Sequence, residues 1–146
     1  MLFVLMYNQG SLVLTFMNTK HAAAIIIRDR KILLIRRSEK EDSEPNKWCV
    51  VNETLEDDES PENAVVRGVY EEIGLKFEIT KRLFEHSYQG HITYLFTGTA
   101  SGDFKPNLEE VAEYKWFFHS EAKKLEFAYD YGKVISGLHD LGLIAD

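Results

Sequence analysis

The stretch that most limits what this chain can become is residues 59–75, ESPENAVVRGVYEEIGL. Ser60, Pro61 and Glu62 make a helix start: a serine hydroxyl can accept from a free N–H, proline fits the first helical position, and an acid in the first turn complements the helix dipole. Gly74 is the matching stop, because glycine readily takes the left-handed conformation that closes a helix. At about 100° per residue, Val65, Val66, Val69 and Ile73 gather on one side and are expected to face a core. Ala64, Arg67, Gly68, Glu71 and Glu72 fall on the opposite arc, with Arg67 one turn before Glu71 and Gly68 between the two glutamates. The helix therefore needs a second layer for its apolar side and offers two carboxylates beside a small gap on the other. Two such carboxylates can hold a hard cation such as Mg2+ or Mn2+, although a Glu-Glu pair taken alone is more often a solvated face.

The second layer is legible on both sides of the helix. Residues 21–27 are apolar, 28–30 form a polar break and 31–35 are apolar again, which reads as a buried hairpin with Arg36 and Arg37 at its far end. Residues 38–47, with Pro45 among charges, are a loop, and residues 48–51 a short strand. Residues 77–84 and 92–99 read as strands joined through Tyr88-Gln89-Gly90, and residues 114–118 as a third strand after an acidic loop over 107–113. Ser120 and Asp130 are expected to cap two later helices, the last burying Val134, Leu138 and Leu141. The order hairpin, loop, helix, strands, helix implies an α/β fold with a mixed β-sheet and helices packed on its faces. There is no regular βαβ alternation and no glycine-rich phosphate loop, which excludes dinucleotide-binding and P-loop folds.

A chain of 146 residues fits one domain. Its 24 acidic residues against 17 Lys and Arg work against extended nucleic acid as a partner, because phosphate neutralisation needs clustered positive charge. A small anionic ligand bridged by a metal remains compatible. The single cysteine, Cys49, cannot form an internal disulfide; flanked by Trp48 and Val50, it reads as a buried hydrophobe in a cytoplasmic protein. Residues 1–16 carry no charge and are largely apolar. They lack a basic leader region, and Asn8-Gln9-Gly10-Ser11 divides them into runs too short to cross a membrane, so two short strands around a turn are expected. Residues 1–20 are accordingly read as an extension of strand or hairpin type and residues 21–146 as the main domain, with Met17 an alternative start. An apolar extension of this kind is compatible with a homodimer.

The spacing around the acidic helix resembles the Nudix box, whose pattern is Gly, five residues, Glu, seven residues, Arg-Glu-apolar-x-Glu-Glu-x-Gly-apolar. Glu59, Arg67, Glu71, Glu72 and Gly74 match, with Val69 and Leu75 at the apolar positions. Leu34-Ile35-Arg36-Arg37 and Trp48 before the box, and Glu109-Glu110 and Tyr114-Lys115-Trp116-Phe117 after it, are also similar to that family over residues 21–143. The resemblance implies a Nudix-type α/β/α sandwich and metal-assisted attack of water on a diphosphate linkage in a nucleoside diphosphate derivative. On that resemblance Glu71 and Glu72 would be metal ligands and Glu59 a further ligand or water-positioning group. Arg67 would orient a carboxylate, and Arg36 or Arg37 would contact phosphate of a small-molecule nucleotide substrate.

The box departs from that pattern at several places, which do not have equal weight. Glu53 stands at the first Gly of the box, Val51-Asn52 at the Pro-Gly before it, and Asp58 at another frequent Gly. Asn52 tolerates left-handed backbone and would partly replace those glycines, whose carbonyl often reaches the metal. Gly68 stands where the family has the Glu of Arg-Glu, so Glu110, or its neighbours Glu109 and Glu113, would have to bring a carboxylate from the other side. Tyr88, His91 and Phe127 are candidates to line a base pocket, and His86, His119 and His139 have no assigned role. Two functions follow: a Mg2+- or Mn2+-dependent pyrophosphohydrolase, which Gly68→Glu is expected to accelerate, and a weak or inactive nucleotide-binding or regulatory domain on the same fold.

Overall fold

The computed structural model describes residues 2–8, 11–17 and 19–146, the first two segments by backbone alone. Strand β1 (Leu2–Asn8) pairs antiparallel with β2 (Ser11–Met17), from Leu2↔Met17 to Asn8↔Ser11, as a two-stranded sheet of its own. Residues 9–10, where a turn is expected, and the N-terminal side chains lie outside the described residues. Among those described, no helix is long and apolar enough to cross a membrane.

The main sheet has seven strands: β3 (Lys20–Arg28), β4 (Lys31–Arg37), β5 (Trp48–Cys49), β6 (Val51–Thr54), β7 (Lys76–Tyr88), β8 (His91–Ser101) and β9 (Val111–Phe117). The β3–β4 hairpin turns on Asp29 and Arg30, both at positive φ (52° and 60°), the left-handed pair that matches strand twist. Strand β3 is central. It runs parallel to β8 from Lys20↔Ile92 to Ile26↔Gly98, and antiparallel to β6 from His21↔Thr54 to Ala24↔Val51. Strands β9 and β5 join the sheet through β4. Ala22, Ala23, Ala24, Ile25 and Ile26 are all buried, as a strand covered on both faces requires.

The covers are α1 (Pro61–Ile73) on one face and α2 (His119–Ala122) with α3 (Gly132–Asp140) toward the other. Strand β6 records the two sides, since neighbouring residues point to opposite faces. Glu53 lies against Gly68 of α1, while the Asn52 amide donates to the Tyr131 hydroxyl just before α3. This is the mixed α/β/α arrangement.

Helix α1 starts and stops as expected. Ser60 Oγ accepts from the Asn63 N–H at 3.1 Å, and Gly74 closes the helix at φ 74° by donating to the Tyr70 carbonyl at 3.0 Å. Its rotation differs from the expected one. The buried side consists of two i, i+4 rows, Ala64-Gly68-Glu72 and Val65-Val69-Ile73, while Val66 is exposed. Small residues let the first row approach the strands, and this draws Glu72 inward from the solvated face on which periodicity placed it. Elsewhere, residues 48–51 divide into β5 and β6 around buried Val50, and β9 begins at Val111, inside the expected loop. The N–H of Phe118 is capped by Glu121, not Ser120; α3 starts two residues after Asp130; and Leu141 is exposed beyond its end.

Ser60→Ala is expected to lower unfolding free energy by about 1 kcal/mol through the lost cap. Gly74→Ala should cost more than about 1 kcal/mol, because it forces a left-handed residue and sets a Cβ 2.7 Å from Lys105 Cβ. Urea denaturation with unchanged slope measures both.

Candidate functional site

Arg67 organises the outer edge of α1. Its Nε and Nη2 donate to the two oxygens of Glu59, each at 2.9 Å, in the bidentate geometry that arginine makes with carboxylate. Nη2 also donates to the Thr54 carbonyl at 3.1 Å and Nη1 to Glu71 at 3.2 Å, with Glu53 at 3.5 Å and Glu56 at 3.7 Å from Nη1. Glu59 Oε1 accepts the Glu56 N–H as well, at 3.1 Å. The hydrogen bond from Arg67 and that backbone donor hold the Glu59 carboxyl down to about 2. Asp58, before this loop enters the helix, sits at φ 61°, the conformation a glycine would supply without strain.

Inside this edge lies a second group of acids. Glu72 is 8% exposed, and its Oε2 has no hydrogen-bond partner among the described residues. Burial pushes its carboxyl well above the usual range, with the charges of Glu110 and Glu53 adding to the effect and Arg37 opposing it. Glu110 is also raised, by burial and then by Glu41 and Glu71. Glu53 is raised by burial, against the pull of Arg67, with Glu71 and Glu110 as its acidic neighbours. A Cβ built on Gly68 would lie 2.9 Å from Glu53 Cβ and 3.4 Å from both Cγ and Oε2, so the Glu53 side chain passes over the glycine.

On the opposite face of β6 a cavity of about 380 Å³ opens among Arg37, Asn52, His91, Tyr88, Tyr129 and Tyr131, with His21, His86 and Thr54 also in its wall. The Arg37 guanidinium stacks over the Tyr129 ring at 5.2 Å and donates to Glu41 at 3.2 Å. Arg37 thus lines the cavity and also acts on Glu72 and Glu110. Thr19 Oγ1 lies 2.8 Å from His21 Nε2 and 2.6 Å from His91 Nδ1, and burial followed by the charge of His91 lowers His21 to about 4.

The sequence matches the NUDIX domain family over residues 17–138. The chain belongs to that family. Its sequence is 31% identical over 114 residues to the mouse (Mus musculus) diphosphoinositol polyphosphate phosphohydrolase 2, covering 73% of this chain and 62% of that protein. It is 26% identical over 105 residues to a MutT-like protein of Streptomyces ambofaciens, covering 70% and 65%. The chain spans less than two thirds of the length of both relatives. Among solved structures, the MutT protein of Methanosarcina mazei Go1 superposes with a TM-score of 0.75 at 24% identity, covering 86% of this chain and 94% of that one; at that identity the likeness is one of fold.

Within this NUDIX domain, the charge of Glu110 bears on Glu72 and that of Glu71 on Glu110. Glu59 does not face this group: both its oxygens are engaged by Arg67 and the Glu56 N–H. Nor does the Asn52 side chain, which points into the cavity from a regular strand with no positive φ. Arg36 is held by Glu113 at 3.0 Å and Asn46 at 3.1 Å, and Glu109 by Lys40 at 3.1 Å, all toward the exposed surface. Phe127 packs against the core rather than lining the cavity. In the sequence Glu53 is a lost glycine that adds negative potential near the helix; the signal of its contact with α1 is the lack of a side chain at position 68. His119 and His139, twenty positions apart, stack at 3.8 Å beside Asp146, a closeness no local spacing reveals.

A buried carboxylate with an unpartnered oxygen, crowded by other carboxylates, fits a hard divalent cation. Without one, Glu72 makes stability depend on pH. Its folded value lies above the unfolded 4.5, so its favourable contribution is complete below that pH and is lost as pH rises through the folded value. Urea denaturation in EDTA should show stability falling from mildly acidic toward neutral pH, a slope that Glu72→Gln flattens. Glu59 has the opposite sign: its contribution holds above 4.5 and is lost as pH falls toward about 2.

Proposed function

We propose that this chain is a divalent-metal-dependent pyrophosphohydrolase that cleaves a diphosphate linkage in a nucleoside diphosphate derivative. The observation that carries this reading is buried Glu72, with one oxygen unpartnered beside Glu53, Glu71 and Glu110. Glu71 and Glu72 would hold Mg2+ or Mn2+, which supplies charge neutralisation at phosphate oxygens and a more acidic bound water. Arg67 fixes the Glu71 end of that pair, and Glu59 fixes Arg67. Glu110, its proton affinity raised by burial and by Glu41, would accept a proton from the attacking water. Arg37, between the carboxylates and the cavity, would bind the phosphate and hold it against them.

The cavity favours one substrate class over another. Arg37 is its single permanent cation among the described residues, His21 is neutral at physiological pH, and the remaining wall is largely aromatic and amide. A diphosphoinositol polyphosphate carries phosphate around a whole ring and needs several cations. A nucleoside diphosphate derivative brings one anionic linkage and a planar base, which suits Arg37 with Tyr88 and Tyr129. A cytoplasmic setting fits free Cys49, which asks for no oxidising compartment.

A panel of nucleoside diphosphate derivatives and diphosphoinositol polyphosphates in Mg2+ or Mn2+ tests the reading. Turnover of a nucleotide is expected, with kcat/KM lower by about 100-fold or more in Glu72→Gln. Arg37→Ala should raise KM by about tenfold, with a smaller change in kcat. Absence of metal-stimulated turnover across the panel, or faster turnover of the inositol compounds, refutes the activity or the substrate class respectively.

A further inference from the structure

Two positions of the acidic box have exchanged their residue types. The chain has an acid, Glu53, where the pattern has its first glycine, and a glycine, Gly68, where the pattern has an acid. Read along the sequence these are two separate defects, fifteen positions apart. In the folded chain they touch, because β6 packs against α1 and Glu53 points from the strand toward the helix.

We infer that Glu53 supplies the cation site with the carboxylate that α1 lacks at position 68, the ligand having moved from the helix to the strand facing it. The inference rests on the proposed metal dependence of this site. Its geometric basis is the 2.9 Å between Glu53 Cβ and a Cβ placed on Gly68, together with the 3.4 Å to Oε2: the Glu53 carboxylate occupies space that a residue-68 side chain would enter. A Cβ contact of 2.9 Å is one that real side chains do not make, so the two acids exclude each other and the chain carries one of them.

The surroundings of Glu53 are those of a ligand and not only of an ion-pair partner. Its one ionic contact among the described residues is Arg67 at 3.5 Å, and that guanidinium is already held by Glu59 at 2.9 Å twice and by Glu71 at 3.2 Å. The other acids around Glu53 are Glu71 and Glu110. Independently, Glu72 is more than nine-tenths buried with Oε2 unpartnered, and after burial the charges it meets most strongly are those of Glu110 and Glu53. With Arg67 shared among Glu59, Glu71 and Glu53, the repulsion that Glu53 meets from Glu71 and Glu110 is offset only in part. A hard cation turns the same grouping into an oxygen ligand set drawn from β6, α1 and the segment before β9.

The test is Mn2+ binding without nucleotide, read by electron paramagnetic resonance of free Mn2+, alongside thermal unfolding in EDTA. The set is the unmodified chain, Glu53→Gln, Glu72→Gln, Gly68→Glu and the exchange Glu53→Gly/Gly68→Glu. Glu53→Gln is expected to weaken Mn2+ binding at least about tenfold while leaving the metal-free Tm unchanged or higher. Gly68→Glu alone should lower Tm without tightening binding, contrary to the gain that the sequence pattern suggests. The exchange variant should bind Mn2+ within about threefold of the unmodified chain. If Glu53→Gln binds as the unmodified chain does while Glu72→Gln loses binding, the metal site stands and the role of Glu53 falls. If Glu72→Gln also binds normally, the metal reading itself falls. Tighter Mn2+ binding by Gly68→Glu at unchanged Tm overturns the inference, and so does an exchange variant that folds without binding.

Discussion

Arg67 ties three segments of the chain into one acid-rich edge. It reaches the loop before α1 through Glu59 and Glu56, the end of β6 through the Thr54 carbonyl, and the last turn of its own helix through Glu71. Its most sheltered pair, with Glu59 at 13% side-chain exposure, is a constraint on loop geometry; the contact with exposed Glu56 contributes little. A single guanidinium cannot neutralise every carboxylate that the fold gathers behind it, and Arg37 opposes the charge on Glu72 and Glu110 only in part. The remaining negative charge is therefore a property of the fold, imposed by packing α1 with its Ala64-Gly68-Glu72 row against the sheet.

Much of that fold was legible beforehand because local chemistry decides it. Ser60, Pro61 and Gly74 fix the ends of α1, and the apolar runs of β3 and β4 fix the centre of the sheet. What escaped was anything set by how one element rolls against another. Periodicity ranks Val66 above Gly68 as a core residue, yet close approach to β6 selects the small residues, which exposes Val66 and buries Glu72. The site shows the same division. Glu71, Glu72 and Arg67 could be named from spacing along one helix, whereas what separates Glu110 from Glu109 and Glu113, held by Lys40 and Arg36, is set by tertiary pairing. Glu53 was the least visible, because its meaning resides in a contact with a residue that has no side chain.

Strand β6 joins the cavity to the acid-rich edge. Its alternation sends Asn52 and Thr54 to the cavity wall and Glu53 to the helix, so four residues of chain line a cavity on one face and place a charge on the other. A shift of one residue in the pairing His21↔Thr54 to Ala24↔Val51 would reverse both assignments at once. The buried alanines of β3 hold that register from the neighbouring strand.

The placement of Glu53 on β6 rather than on α1 has a mechanical consequence. Two acids on one helix are spaced by the helix itself, and keep their separation for as long as that helix stays wound. Glu53 and Glu72 are spaced by how firmly Val65, Val69 and Ile73 seat α1 on the strands. Any breathing between helix and sheet therefore changes the distance between carboxylates directly, and the integrity of the hydrophobic seam becomes a dimension of the charged site above it.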